Sequence, residues 1–74
     1  MTLDQINENQ KSKILSINCS NELKQRFYSF GIIKGSTLEV EKISFAKNTI
    51  EVRVDDTSIG MRIEEAKQIQ VELI

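Results

Sequence analysis

The sequence predicts a mainly β domain, in which about five short strands curl into a small barrel and one short α-helix lies between the first and second strands. Apolar and polar residues alternate with a period of two along most of the chain, as in strands that bury one face. Only one segment, Leu23 to Phe30, shows helical spacing over more than one turn. In a chain of 74 residues, a flat sheet would expose its apolar face and its edges, and curling the sheet avoids both.

Length and composition indicate one domain spanning residues 1–74, close to the lower limit at which a core is stable without disulfides or a metal. No apolar run approaches the ~18 residues that a membrane-spanning helix needs. The segment from Met1 to Ile6 lacks the basic flank of a signal peptide. The single cysteine, Cys19, cannot form an internal disulfide, which fits a reducing compartment. These features predict a cytoplasmic location and no membrane insertion.

The net charge and the few possible metal-binding or catalytic residues limit the functions that this chain can have. The net charge is −1, with Lys and Arg scattered among Asp and Glu, which argues against a nucleic-acid partner. The absence of His removes the commonest general base and the commonest metal ligand. Cys19 is the only soft ligand, and the adjacent Asp55 and Asp56 supply too few oxygens for a calcium site. We therefore predict a non-enzymatic protein with no cofactor and no tight metal site.

The N-terminal third is predicted to form one apolar turn and a first strand. Leu3 and Ile6 are three residues apart, which is the spacing of a single helical turn. The strand, from about Ser12 to Cys19, contains three apolar residues that cannot all share one face: Ile14, Leu15 and Ile17. A β-bulge, or burial on both faces, would reconcile them.

The helix is predicted to bury one apolar stripe, made of residues at i, i+4 and i+7: Leu23, Phe27 and Phe30. Either Ser20 or Asn21 can cap its start, because both side chains accept hydrogen bonds from free backbone N–H groups. Gly31 follows the last apolar residue, the usual place for the left-handed residue that ends a helix. Gly35 gives a second turn signal, after which the second strand begins.

The second strand is predicted from about Thr37 to Ser44, and it also contains an irregularity. Leu38 and Val40 share a face, whereas Ile43 is out of phase, so we expect a bulge near residues 41–42. The next four residues, Phe45 to Asn48, are predicted to form a hairpin connection in which Asn48 can take a positive φ.

The C-terminal half completes the barrel. Its predicted elements are a strand from Ile50 to Asp55, a turn at Asp55–Asp56, a strand from Ser58 to Ile63, a helical turn at Glu64–Lys67 and a strand from Ile69 to Leu73. A helical turn just before the final strand is the arrangement of a small SH3-like barrel. The main alternative is an OB-type barrel, although its helix normally lies between the third and fourth strands.

Three groups of residues together resemble the FeoA family: Arg26-Phe27-x-x-Phe30-Gly31-Ile32-x-x-Gly35-Ser36, Ile50-x-Val52, and Ile59-Gly60-Met61-Arg62-x-x-Glu65-Ala66-x-x-Ile69-x-Val71. No single piece is specific, but their order and spacing are. Several turn or core positions depart from the family pattern: Lys34 replaces Pro, Asn9 replaces an early Gly, Lys47 and Thr49 replace Gly and Pro, and Gly60-Met61 replaces Ala-Leu. The resemblance spans most of the chain and implies an SH3-like barrel.

The same resemblance implies a non-enzymatic accessory or regulatory protein of bacterial ferrous iron uptake. Its implied partner is FeoB, the membrane iron transporter with a cytoplasmic GTP-binding region. One alternative is a stand-alone module related to the C-terminal SH3-like domain of DtxR-type metal-dependent repressors, although this chain has no winged-helix domain. Another is a small RNA-associated barrel, which the charge balance disfavours. A weak homo-oligomer is compatible with the sequence.

Five residues are the candidates for partner binding: Arg26, Tyr28, Ile33, Lys34 and Arg62. The two arginines lie at motif positions, where each could pair with acidic groups of a partner or lay its stem over the barrel. For Arg62 we favour a stem that lies over the barrel, and for Arg26 we favour neither interpretation over the other. Tyr28 faces away from the apolar stripe as an exposed aromatic. Ile32 and Ile33 follow the end of the helix and are not both expected to be buried, although burial of both is the alternative.

Overall fold

The computed structural model describes residues 1–46 and 48–74 and shows the mainly β architecture predicted from the sequence. A 3-10 turn at Leu3–Gln5 precedes the first strand. The other elements are β1 (Lys11–Ile17), α1 (Asn21–Ser29), β2 (Thr37–Ile43), β3 (Thr49–Val54), β4 (Thr57–Arg62), α2 (Ile63–Ala66) and β5 (Ile69–Leu73). Lys47, in the predicted hairpin connection, lies outside the described residues.

The five strands form one antiparallel sheet in the order β4-β3-β2-β1-β5. The helix lies between the first and second strands and the helical turn lies before the last, as in the predicted SH3-like barrel and unlike the OB-type alternative. Both predicted irregularities are present. The β1–β5 register shifts between Ile14 and Ser16, and the β2–β3 register shifts between Val40 and Lys42.

One hydrophobic core collects residues from every strand and from both helices. The predicted N-terminal turn is part of it, since Leu3 and Ile6 are fully buried. Asn9 has φ +69° and donates its backbone N–H to the Val40 carbonyl at 2.7 Å. It therefore takes the left-handed conformation expected where the family pattern has Gly. In the connection between β2 and β3, Asn48 donates its N–H to Ser44 Oγ at 3.0 Å, and a positive φ at Asn48 stays a prediction.

Helix α1 begins and ends where the sequence predicts. Ser20 Oγ accepts a hydrogen bond from the Leu23 N–H at 3.3 Å, which identifies Ser20 as the N-cap. At the other end, Gly31 has φ +86° and donates its N–H to the Tyr28 carbonyl at 3.0 Å. The next N–H, of Ile32, donates to the Phe27 carbonyl at 3.0 Å. This pair of bonds is a Schellman motif, which requires a left-handed residue such as glycine.

The apolar stripe predicted for α1 is wrong at one position. Phe27 is 1% exposed and Leu23 is partly buried against the core, but Phe30 is 42% exposed. Phe30 is the C-cap residue and keeps an αR conformation, but it is the last residue before the chain turns. The chain reverses at Gly31, and Ile32, which is fully buried, enters the core instead.

A tight turn connects the helix end to β2. The Ser36 N–H donates to the Ile33 carbonyl at 3.0 Å, and Gly35 has φ +90°. Gly35 is therefore at the third position of the turn, where a type II turn needs a positive φ. Lys34 lies at the second position, where the family pattern has Pro.

Neither helix in the described part of the chain is long and apolar enough to cross a membrane.

Candidate functional site

The structure divides the five predicted partner-binding residues between two surfaces. Arg26 and Tyr28 each lie one residue, or about 100° of helix rotation, from the buried Phe27, on opposite sides of it. The first, here called the helix-end surface, is the exposed end of α1 together with the turn that follows it, and includes Tyr28, Phe30, Ile33 and Lys34. The second, here called the arginine groove, is an open groove of about 570 Å³ lined by Arg26, Thr49, Gly60, Met61, Arg62 and Glu65.

Glu65 holds the arginine groove together. Its Oε2 lies 3.0 Å from Arg26 Nη2, and its Oε1 accepts a hydrogen bond from the Arg62 backbone N–H at 2.9 Å. The Arg26 side chain is 53% exposed, and an ion pair this open to water contributes at most about 1 kcal/mol to stability. The contact therefore serves mainly to position the Arg26 guanidinium at the groove.

The two arginines differ in their pairing. The structure shows ion pairs for Arg26 with Glu65 and for Arg53 with Glu41, and none for Arg62 within the described residues. Arg62 is exposed and lies at the end of β4, where α2 begins. Arg62 thus lines the groove and has no carboxylate partner from residues 1–46 or 48–74.

The helix-end surface carries large apolar side chains in water. Tyr28 is 47% exposed and Ile33 is 45% exposed, while Lys34 beside them is exposed as well. The expectation that Ile32 and Ile33 are not both buried is confirmed, because Ile32 lies in the core. Phe30 joins this surface although its spacing predicted burial. All four residues belong to one helix end and the turn that follows it.

Cys19 is a partly buried thiol. Its Sγ donates a weak hydrogen bond to the Ser20 carbonyl at 3.4 Å. Burial raises the pKa of the Cys19 thiol above its ordinary value; nearby Lys24 opposes this rise and Glu65 adds to it. The thiol is therefore neutral at pH 7, the form that binds metals poorly. No group of three or more His, Cys, Asp or Glu residues that could hold a metal ion occurs in the described residues.

Comparisons with known proteins agree with this architecture. A family model for the FeoA domain matches residues 1–73. The protein assigned as Fe(2+) transport protein A in Campylobacter jejuni is 40% identical over 74 residues, covering 100% of both chains. The solution structure of the FeoA protein from Chlorobium tepidum aligns with a TM-score of 0.95 at 23% identity, over 100% of this chain and 70% of that one.

A different class of protein shares the fold. The structure of a manganese-dependent transcriptional repressor aligns with a TM-score of 0.89 at 20% identity. The alignment covers 100% of this chain but only 41% of the repressor. At this level of identity the likeness concerns the fold of one part of the repressor, and it carries no statement about function.

Proposed function

The chain belongs to the FeoA domain family, and from this premise we propose that it is a non-enzymatic, cytoplasmic accessory protein of ferrous iron uptake. Its partner in this proposal is the cytoplasmic GTP-binding region of the membrane transporter FeoB. The protein regulates the transporter by docking on it, and neither moves iron nor cleaves nucleotide itself. Membership of the family supports the role in Fe²⁺ transport, and the surface of the chain supports docking as the way it acts.

The observation that carries the docking proposal is the helix-end surface. Tyr28, Phe30 and Ile33 are each more than two-fifths exposed, although they lie within one short segment of a small domain. Large apolar residues grouped on a surface mark interaction sites more often than single ones do. Lys34 provides a basic residue beside them, and apolar centres with polar rims are typical of interfaces in which a few residues dominate the binding energy.

The repressor-like and RNA-associated alternatives have less support. The repressor comparison extends over the barrel alone and shows only a fold. The helices of the described residues, α1 and α2, are both short and both contribute to the barrel core, so neither resembles a DNA-reading helix that stands apart. The net charge of −1 lacks the basic excess that binding of RNA backbones requires.

Docking can be tested with the double variant Tyr28→Ala, Lys34→Glu, which alters two exposed residues and no core residue. We expect binding to the transporter to weaken by about tenfold or more, because truncation of an interface hot spot costs ~2 kcal/mol or more. Ferrous iron uptake should fall accordingly in cells that lack the native chain and express the variant. The measurement is uptake of radioactive Fe²⁺ under anaerobic conditions, at matched protein levels.

The control is Lys13→Glu, an equal charge reversal on an exposed position of β1. This variant should support uptake as well as the unaltered chain, and both variants should keep an unchanged unfolding midpoint. Full uptake by a correctly folded Tyr28→Ala, Lys34→Glu variant would place the docking surface elsewhere on the chain.

A further inference from the structure

The sheet has two edges, and the structure treats them differently. The outer edge of β5 is covered by the N-terminus, since the Val71 N–H donates to the Met1 carbonyl at 2.8 Å and Thr2 forms a bridge with Gln70. The other edge is β4, which pairs with β3 on one side. Three residues of this strand, Gly60, Met61 and Arg62, help to line the arginine groove.

The ladder geometry shows which backbone groups of β4 face outward. The Ile63 N–H donates to the Asn48 carbonyl at 2.9 Å, and Thr57 pairs with Val54 across a two-residue turn. Because inward and outward groups alternate along an antiparallel strand, the N–H and C=O groups of residues 58, 60 and 62 point away from β3. The Arg62 N–H is taken up by Glu65. In the described chain, the N–H groups of Ser58 and Gly60 have no acceptor.

Between Ser58 and Gly60 little protects this edge, although Arg62 carries a charge at its end and Glu65 covers the Arg62 N–H. Natural edge strands are usually blunted by proline, lysine or a bulge. Strand β4 has neither residue, and its six pairs with β3 run in continuous register. The bulges of this sheet are in the β1–β5 and β2–β3 pairings instead. The face of the sheet beside this edge is open at Gly60, where an added Cβ atom would meet nothing within 4 Å.

The charges beside the edge favour an acidic ligand. Arg26 and Arg62 line the groove with Glu65 as the one carboxylate among its lining residues, so the groove carries a net positive charge. We propose that β4 receives an extended, acidic segment of a partner protein, which adds to the sheet as a sixth strand. Its backbone pairs with the outward groups of Ser58 and Gly60, and one of its carboxylates pairs with the Arg62 guanidinium.

A second copy of the chain fits the edge less well. Antiparallel pairing of two β4 strands about Gly60 would place Ser58 opposite Arg62 of the other copy. The Asp55–Asp56 turn of each copy would then approach Glu64 and Glu65 of the other, so that acidic groups face acidic groups. Parallel pairing would place the two Arg62 side chains beside each other. A segment from another protein is free to take the register in which one carboxylate lies beside Arg62 and its other acidic residues stay clear of the Asp55–Asp56 turn.

The outward groups of Ser58 and Gly60 belong to β4, whereas the residues of the helix-end surface belong to the end of α1 and the turn after it. The proposal therefore extends beyond FeoB docking through α1 and stands or fails independently of it. The two surfaces leave room for the chain to hold the transporter at one side and an acidic segment at the other.

The test uses the full chain, isotope-labelled for NMR, and a capped peptide of alternating Thr and Glu about eight residues long, within the usual length of a strand. We expect the amide signals of Ser58 and Gly60 to shift on titration and their hydrogen exchange to slow. Arg62→Glu should weaken binding by about tenfold or more, whereas the control reversal Lys13→Glu should leave it unchanged. Arg62→Gln, which removes the charge with little change in size, should give an intermediate loss.

Two further peptides separate charge from backbone pairing. A peptide with Lys in place of every Glu should bind at least about tenfold more weakly. A Thr-Glu peptide with alternate backbone nitrogens methylated keeps its charges but cannot complete the ladder, and it should not protect the Ser58 and Gly60 amides. Equal binding of either peptide would overturn the proposal. So would the absence of any shift at Ser58 and Gly60, or a free chain that sediments as a dimer with those amides already protected.

Discussion

Replacing Phe27 by Ala is expected to lower the free energy of unfolding by about 3–5 kcal/mol, close to the entire stability of a domain this small. Phe27 is the largest of the fully buried side chains and comes from α1, the longer of the two helices. Its removal leaves a cavity between that helix and the sheet, which the surrounding residues can fill only in part. Urea unfolding followed by circular dichroism measures the change.

The matched control is Phe30→Ala, which removes the same side chain from the same helix end. Phe30 is 42% exposed, so its loss should change the free energy of unfolding by no more than about 1 kcal/mol. The pair also tests the orientation of α1. Similar losses in the two variants, or a larger loss for Phe30→Ala, would show that the helix presents a different face to the core.

Ile32→Ala is expected to have the second largest effect on stability, about 2–5 kcal/mol. Ile32 is fully buried, and its backbone N–H completes the Schellman motif by donating to the Phe27 carbonyl at 3.0 Å. The substitution keeps that hydrogen bond and removes only the buried side chain, so the loss measures packing. Thermal and urea unfolding of the purified chain give the value.

Its neighbour provides the comparison. Ile33 is 45% exposed and belongs to the helix-end surface, so Ile33→Ala should cost less than about 1 kcal/mol of stability. A loss from Ile33→Ala as large as that from Ile32→Ala would mean that both isoleucines are in the core. The helix-end surface would then lose one of its apolar residues, and the docking proposal would lose part of its support.

Much of the fold could be predicted from local patterns. Out-of-phase apolar residues indicated both bulges, because a strand alternates strictly and any extra residue disturbs the count. Ser20 and Gly31 marked the ends of α1, because each residue type satisfies backbone groups that a helix leaves unpaired. Phe30 was misplaced for a physical reason. Phe30 is the last residue before the chain reverses at Gly31, and the reversal brings Ile32 rather than Phe30 into the core.

The candidate sites depended more on long-range structure. The exposure of Tyr28 followed from its position on the helix, whereas the Arg26–Glu65 pair joins residues 39 positions apart and has no local signal. Of the two contacts of Glu65, only the one with the Arg62 N–H has a local signal. Glu65 lies three residues after Arg62 at the start of α2, which is the spacing of a capping carboxylate. That β4 is an open edge follows only from the strand order, which no local pattern of residues determines.

The most direct test of the central claim is binding of the full chain to the purified cytoplasmic GTP-binding region of FeoB from the same organism, measured by titration calorimetry and NMR. We expect saturable one-to-one binding with a Kd on the order of micromolar, and shifted amide signals at Tyr28, Phe30 and Ile33. The Tyr28→Ala, Lys34→Glu variant should bind about tenfold more weakly or worse. No binding at concentrations up to about millimolar, or undiminished binding by the variant, would contradict docking through the helix-end surface.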